Sequence, residues 1–201
     1  MGRKAGDLNK FVMAENPTRF VWKLRKSRCS EDLFEERYRD GVVSTLDIPD
    51  EDEVRKWVND NHGYFSKSHL AYTIDVTPKY FDRWLNRAEF SLNYSKVVKL
   101  VKYIKSYNHR CPNIYVPEEK ELTSMMKQMV KDGFVWASAS HIAWYFRSDP
   151  DKLEAWFDGN LQFMVSYKRV KKYTKYVLDE YFRAFRTVEM GRSDILFIEG
   201  L

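Results

Sequence analysis

Residues 66–87, SKSHLAYTIDVTPKYFDRWLNR, read as a helix, a sharp turn and a second helix ending on a tryptophan. Thr77 suits the N-cap of the second helix, because its hydroxyl accepts from a free N–H of the first turn. Pro78 suits the first helical position, where a missing N–H costs nothing. A weaker copy stands at residues 138–159, SASHIAWYFRSDPDKLEAWFDG.

Outward from the first copy, Pro49 followed by Asp50, Glu51, Asp52 and Glu53 marks a helix start, since proline fits the first turn and acids complement the dipole. Val54, Trp57 and Val58 form its apolar face, and Asn61-His62-Gly63 is its expected stop. Helices are expected at about 66–74, 77–86 and 95–107, the last apolar at Val97, Val98, Leu100, Val101 and Ile104. After the turn-rich connector His109-Arg110-Cys111-Pro112-Asn113 the order recurs. Val116-Pro117-Glu118-Glu119 matches Ile48-Pro49-Asp50-Glu51, and Gly133-Phe134 matches Gly63-Tyr64. Ser140-His141-Ile142-Ala143 matches Ser68-His69-Leu70-Ala71, and Pro150, Leu153 and Trp156 match Pro78, Phe81 and Trp84. Tyr167, Arg169, Val170, Lys172 and Tyr176 match Tyr94, Lys96, Val97, Lys99 and Tyr103. The spacing grows from 68 at Pro49/Pro117 to 73 at Tyr103/Tyr176, as small loop changes would make it. An internal repeat follows. The expected divisions are an N-terminal arm and helical segment (1–45), a first unit (46–108), a second unit (114–180) and a C-terminal helix end and tail (181–201).

The first copy resembles the helix-turn-helix of the phage repressor and Cro family. That pattern runs Leu-Ala, three residues, Gly-Val-Ser, three residues, Ile-Ser, one residue, Trp. Here Leu70-Ala71 is followed by Asp75-Val76-Thr77, Phe81-Asp82 and Trp84 at the same spacings. Ala71 must be small where the helices cross, and Val76, Phe81 and Trp84 plug the crossing. Asp75 departs from the family's glycine, at a place needing a left-handed backbone that Asp tolerates better than most residues. The resemblance implies an all-α fold: an N-terminal helical segment and two tandem four-helix helix-turn-helix units. It also implies that helix 77–86 lies in the major groove of double-stranded DNA. Thr77, Pro78, Lys79, Asp82, Arg83 and Asn86 would face out from it, with Lys79 and Arg83 on base edges or nearby phosphates. Lys67 and Arg87 would hold phosphates, which position rather than specify. The second copy's helix carries Asp149, Asp151, Lys152, Glu154 and Asp158, a poor surface for a phosphate backbone. Its basic residues come later, at Lys168, Arg169, Lys171, Lys172 and Lys175, and of these Lys168, Arg169 and Lys172 are the candidate DNA contacts.

Composition bounds the rest. In 201 residues, 44% hydrophobic and 31% charged are values of a globular chain, and 16% aromatics supply a dense core. The net charge of +5 suits a polyanionic partner without proving one. Cys29 and Cys111 cannot make a disulfide framework and are expected as thiols of a reducing compartment. No apolar run approaches the ~18 residues of a membrane span, and MGRKAGDLNKF lacks a signal's apolar region. A cytoplasmic location is expected, nucleoid-associated in a bacterium or phage. Arg3 and Lys4 lie in a terminal arm, and Lys23, Arg25, Lys26 and Arg28 form a basic cluster. Residues 11–45 are expected as two helical pieces. Gly191 is expected to end the last helix, leaving 195–198 as an apolar tail that docks on the body or on a second copy.

His62, His69, His109 and His141 have no metal-ligand spacing with the cysteines, and no phosphate loop or nucleophile elbow occurs. The expectation is therefore no enzyme, no cofactor and no metal. The leading function is a phage-type transcriptional regulator that binds double-stranded DNA by sequence. Its other partners would be a second copy of the chain, giving a homodimer, or a protein at the second unit. The alternatives are a packaging, replication or recombination accessory, or a protein-interaction module using the acidic helix.

Overall fold

A computed structural model describes the backbone of residues 36–160 and 164–198, with side chains described for 40–160 and 164–184. The N-terminal arm, the basic cluster at 23–28, Cys29 and most of the expected first helical segment lie outside the described residues. Within them the chain is all-α.

Helix α1 (Glu36–Leu46) precedes two sets of helices that follow the same order. The first set is α2 (Glu51–Asn61), α3 (Lys67–Thr73), α4 (Pro78–Asn86) and α5 (Tyr94–Tyr107). The second is α6 (Glu119–Lys131), a 3₁₀ turn (Val135–Ala137), α7 (Ala139–Tyr145), α8 (Pro150–Phe157) and α9 (Tyr167–Ile198). Local chemistry sets the boundaries. Ser66 and Ser138 cap α3 and α7 by accepting from the N–H of His69 and His141. Thr77 and Asp149 cap α4 and α8, each with proline at the next position. Gly63 and Gly133 turn left-handed (φ 61° and 101°) just after α2 and α6. Asp75 adopts φ 55° in the α3–α4 turn, the conformation its place demands, and Arg147 adopts φ 50° at the matching place in the α7–α8 turn.

Packing repeats with the sequence. In each set the second and third helices pack on each other, and the third packs on the first. Leu70, Ala71, Phe81 and Trp84 are buried in the first set, as are Ile142, Ala143, Leu153 and Trp156 in the second. His69 Nε2 lies 2.6 Å from the Tyr103 hydroxyl, and His141 Nε2 lies 2.8 Å from that of Tyr176. Each histidine thereby ties the second helix of its set to the fourth. Helix α1 buries Val42 and Leu46 and packs on α6 and α9.

The two sets join around one tyrosine pair. Tyr94 and Tyr167, equivalent residues at the starts of α5 and α9, stack with ring centroids 5.2 Å apart and planes 23° from parallel. Tyr94 N–H donates to Val165 O (2.9 Å), and Tyr167 N–H donates to Leu92 O (2.8 Å). The Tyr94 hydroxyl donates to Pro117 O (2.8 Å), and the Tyr167 hydroxyl donates to Pro49 O (2.9 Å). Each bond has its mate with the two sets exchanged, which is what an approximate two-fold axis between them produces. Burial, and after it each hydroxyl's charged or ionisable neighbours, raise both tyrosine pKa values, so both stay protonated donors.

One expectation fails. Helix α9 does not stop at Gly191 but runs through it to Ile198, so residues 195–198 are helix and not a separate tail. A lone glycine costs a helix only about 1 kcal/mol relative to alanine. It ends one when its backbone turns left-handed, as Gly63 and Gly133 do.

Removing either hydroxyl strands a carbonyl at the joint. Tyr94→Phe should cost about 1–3 kcal/mol of unfolding free energy, and Tyr167→Phe a similar amount, measured by urea denaturation. Unchanged midpoints in both variants would contradict the joint.

Candidate nucleic-acid interface

Helix α4 is amphipathic because its apolar residues recur on one side: Phe81, Trp84 and Leu85 are buried. The opposite side carries Lys79, Asp82, Arg83 and Asn86, all exposed, and Arg87 follows as the exposed C-cap. Thr77 is exposed at the N-cap, with its hydroxyl 3.3 Å from the Tyr80 N–H, and Pro78 is half-buried. Among the described residues the Lys79 side chain has no ion pair or hydrogen bond. The Arg83 guanidinium lies 5.7 Å from the centre of the Phe90 ring, a contact that steadies a side chain which stays exposed. Asn86 donates to the carbonyl and carboxylate of Asp82, both at 2.9 Å. Lys67 on α3 approaches the same carboxylate at 3.8 Å. Lys67, Thr77, Lys79, Asp82, Arg83 and Asn86 thus share the surface of the α3–α4 pair.

A buried polar knot sets the angle of α4. Trp84 Nε1 donates to Glu51 Oε1 (2.7 Å), and the Leu92 N–H donates to the same oxygen (3.0 Å). The other Glu51 oxygen faces Arg55 at 3.4 Å, and Arg55 also donates to Phe90 O at 2.6 Å. Glu51 and Arg55 are almost fully buried. Its place at a helix start suggests only a capping role for Glu51; the Trp84 indole that it accepts from lies 33 residues away. In the second set Glu119 stands in the matching place near Trp156, but it is only partly buried and Thr123 stands where the first set has Arg55. Burial raises its pKa.

The remaining candidates fall in the second set and divide sharply. Lys168 is half-buried and donates to the Ala88 carbonyl. Its neighbour Lys171 donates to the Ile48 carbonyl and lies 3.8 Å from both Asp47 and Asp50. These two lysines serve the joint. Arg169 and Lys172 are exposed, with no ion pair or hydrogen bond among the described residues, and they line one cleft with Arg147. Arg147 was not among the expected site residues; the signal was its place opposite Asp75 in the repeat. Helix α8 exposes Asp151, Lys152 and Glu154, and its C-cap Asp158 is exposed as well.

Among the described residues no group of three or more His, Cys, Asp or Glu side chains is arranged to hold a metal ion. No described helix is long and apolar enough to cross a membrane. Comparison with family models, with curated proteins and with solved structures returns no match.

The knot predicts an asymmetry between the sets. Glu51→Ala removes the acceptor of the Trp84 indole and of the Leu92 N–H and one of the two carboxylates beside Arg55, which keeps Asp52, and should cost about 1–3 kcal/mol for each stranded donor. Glu119→Ala should cost less than half of that in the same denaturant titration.

Proposed function

We propose that the chain binds double-stranded DNA as a transcriptional regulator, and that the α3–α4 pair is its reading head. The α7–α8 pair is, in this proposal, a second helix-turn-helix that has kept its packing and lost its groove contact. The observation that carries the reading is the surface of α4. A short capped helix, fixed by a buried polar knot, holds Lys79 free and Arg83 outward within one turn of each other. Such a helix can enter a major groove, where Lys and Arg donate to guanine edges. Lys67 and Arg87 flank it as phosphate contacts.

The approximate two-fold between the sets supports the same reading from another side. Helix-turn-helix proteins commonly place two heads on DNA by dimer symmetry. Here one chain supplies the symmetry, while the chemistry of the two heads differs. Matched positions hold Lys79 and Asp151, and Arg83 and Ala155. One head therefore reads sequence, and the target is a single half-site unless two chains pair.

A protein-binding role for the second set is the other reading. It is favoured by Trp144 and Tyr145, 58% and 53% exposed on α7 near the acids of α8.

Selection of bound sequences from random duplex DNA tests the leading proposal, with an enriched asymmetric motif expected. Arg83→Ala should weaken binding to the selected site by about 1–3 kcal/mol and relax one base position, while Lys152→Ala should change it little. Equal losses in gel-shift titrations would remove the asymmetry, and no enrichment at low salt would remove the DNA reading.

A further inference from the structure

The two inter-helix turns differ in charge at one matched position. In the first set, Asp75 stands at the left-handed place of the turn, and two lysines of α5 are spent on it. Lys96 Nζ donates to the Asp75 carbonyl (2.7 Å), and Lys99 Nζ lies 3.3 Å from its carboxylate. Arg169 and Lys172 on α9 are the repeat counterparts of Lys96 and Lys99. Where they would find an aspartate they meet Arg147 instead. The matched trio changes from one acid and two bases to three bases.

These three cations line a cleft together with Phe146, Ser148, Asp149, Lys152 and Tyr173. Its single carboxylate, Asp149, is engaged elsewhere. It accepts from the N–H groups of Asp151 and Lys152 as the cap of α8, and it lies 3.5 Å from the Lys152 ammonium. Arg147, Arg169 and Lys172 have no ion pair or hydrogen bond among the described residues. The Ser148 and Tyr173 hydroxyls, 3.3 Å apart, share one hydrogen bond and leave one O–H as a neutral donor on the wall. Arg147 also holds φ 50°, a backbone that costs arginine more than it would glycine or asparagine. Like charges gathered in a concave site raise the local potential and attract an anion. Two planar guanidinium groups match the geometry of phosphate oxygens.

We infer that Arg147, Arg169 and Lys172 form a phosphate-binding site for one strand of duplex DNA, on the set whose own α8 is too acidic to enter the groove. The inference rests on the DNA reading above and adds a second, sequence-independent anchor beside the reading head. It also explains how an acidic α8 can sit near DNA: the strand is held at the turn and at the start of α9, and not along the helix. Lys168 and Lys171 take no part, because the joint occupies them.

The test is the salt dependence of binding to a mixed-sequence duplex by the full chain. The Arg147→Ala/Arg169→Ala/Lys172→Ala variant should bind about tenfold or more weakly at low salt, and its slope of log K against log salt should be shallower by about 2–3, as loss of three phosphate contacts requires. A control variant, Lys56→Ala/Lys120→Ala/Lys131→Ala, removes the same charge from exposed positions outside the cleft and should change the slope by about 1 or less. Thermal melting guards against misfolding: relieving like-charge repulsion should leave the melting temperature of the cleft variant unchanged or higher. An unchanged slope in the cleft variant, or equal changes in both variants, overturns the site while sparing the DNA reading. Failure of the unmodified chain to bind duplex overturns both. If the cleft variant loses binding to poly-glutamate but keeps the duplex, the cleft belongs to an acidic protein and the proposal falls.

Discussion

Tyr94 and Tyr167 stack across the only place where the two sets exchange matched hydrogen bonds among the described residues. Four reciprocal bonds converge there, two from backbone N–H groups and two from tyrosine hydroxyls. The geometry constrains both neighbours of the pair at once. On one side it fixes the segments that enter α5 and α9; on the other it fixes the prolines that open α2 and α6. Since α2 carries Glu51, and Glu51 holds Trp84, the orientation of α4 is linked to the joint through a short chain of buried contacts. A stacked aromatic pair suits such a place because it fills volume, while its hydroxyls satisfy carbonyls that would otherwise be buried unpaired.

The same symmetry makes the differences between the sets informative. Duplication gives each position a counterpart under nearly the same packing, so a change of charge between counterparts is not demanded by the fold. The Glu51–Arg55–Trp84 knot is complete in the first set and reduced to Glu119 and Trp156 in the second. The exposed face of α4 is basic and that of α8 acidic. The left-handed turn residue changes from Asp75 to Arg147. The first set has the helix tied by a buried carboxylate and a basic exposed face, and the second has the stronger cation cluster at its turn. The proposed division of labour between a specific head and a general anchor accords with the way phosphate contacts position and base contacts specify.

Much of the architecture was legible in the chain because its signals are local. Ser66, Thr77, Ser138 and Asp149 each sit where a helix needs a cap, with proline following two of them. Asp75 was recognisable as a left-handed residue because the family it resembles has glycine there, and Asp accepts that backbone better than most. The repeat made the second set readable where its own motif is weak. Gly191 misled because one residue cannot show whether a helix continues; neighbouring turns decide that. The faces of α4 and α8 followed from the resemblance together with helical periodicity.

What stayed hidden was whatever depends on residues distant in sequence. Glu51 looked like one more acid at a helix start, since nothing near it announces Trp84 or the Leu92 amide. Lys168 and Arg169 are neighbours with similar side chains, yet one is tied to the Ala88 carbonyl and the other faces the cleft. Helical rotation of about 100° per residue separates them, and only the position of the other set determines which direction is occupied. The sequence determined where helices begin, which faces are apolar and that the unit occurs twice. The tertiary structure decided which charges remain free, because a cation's availability is a property of its surroundings and not of its side chain.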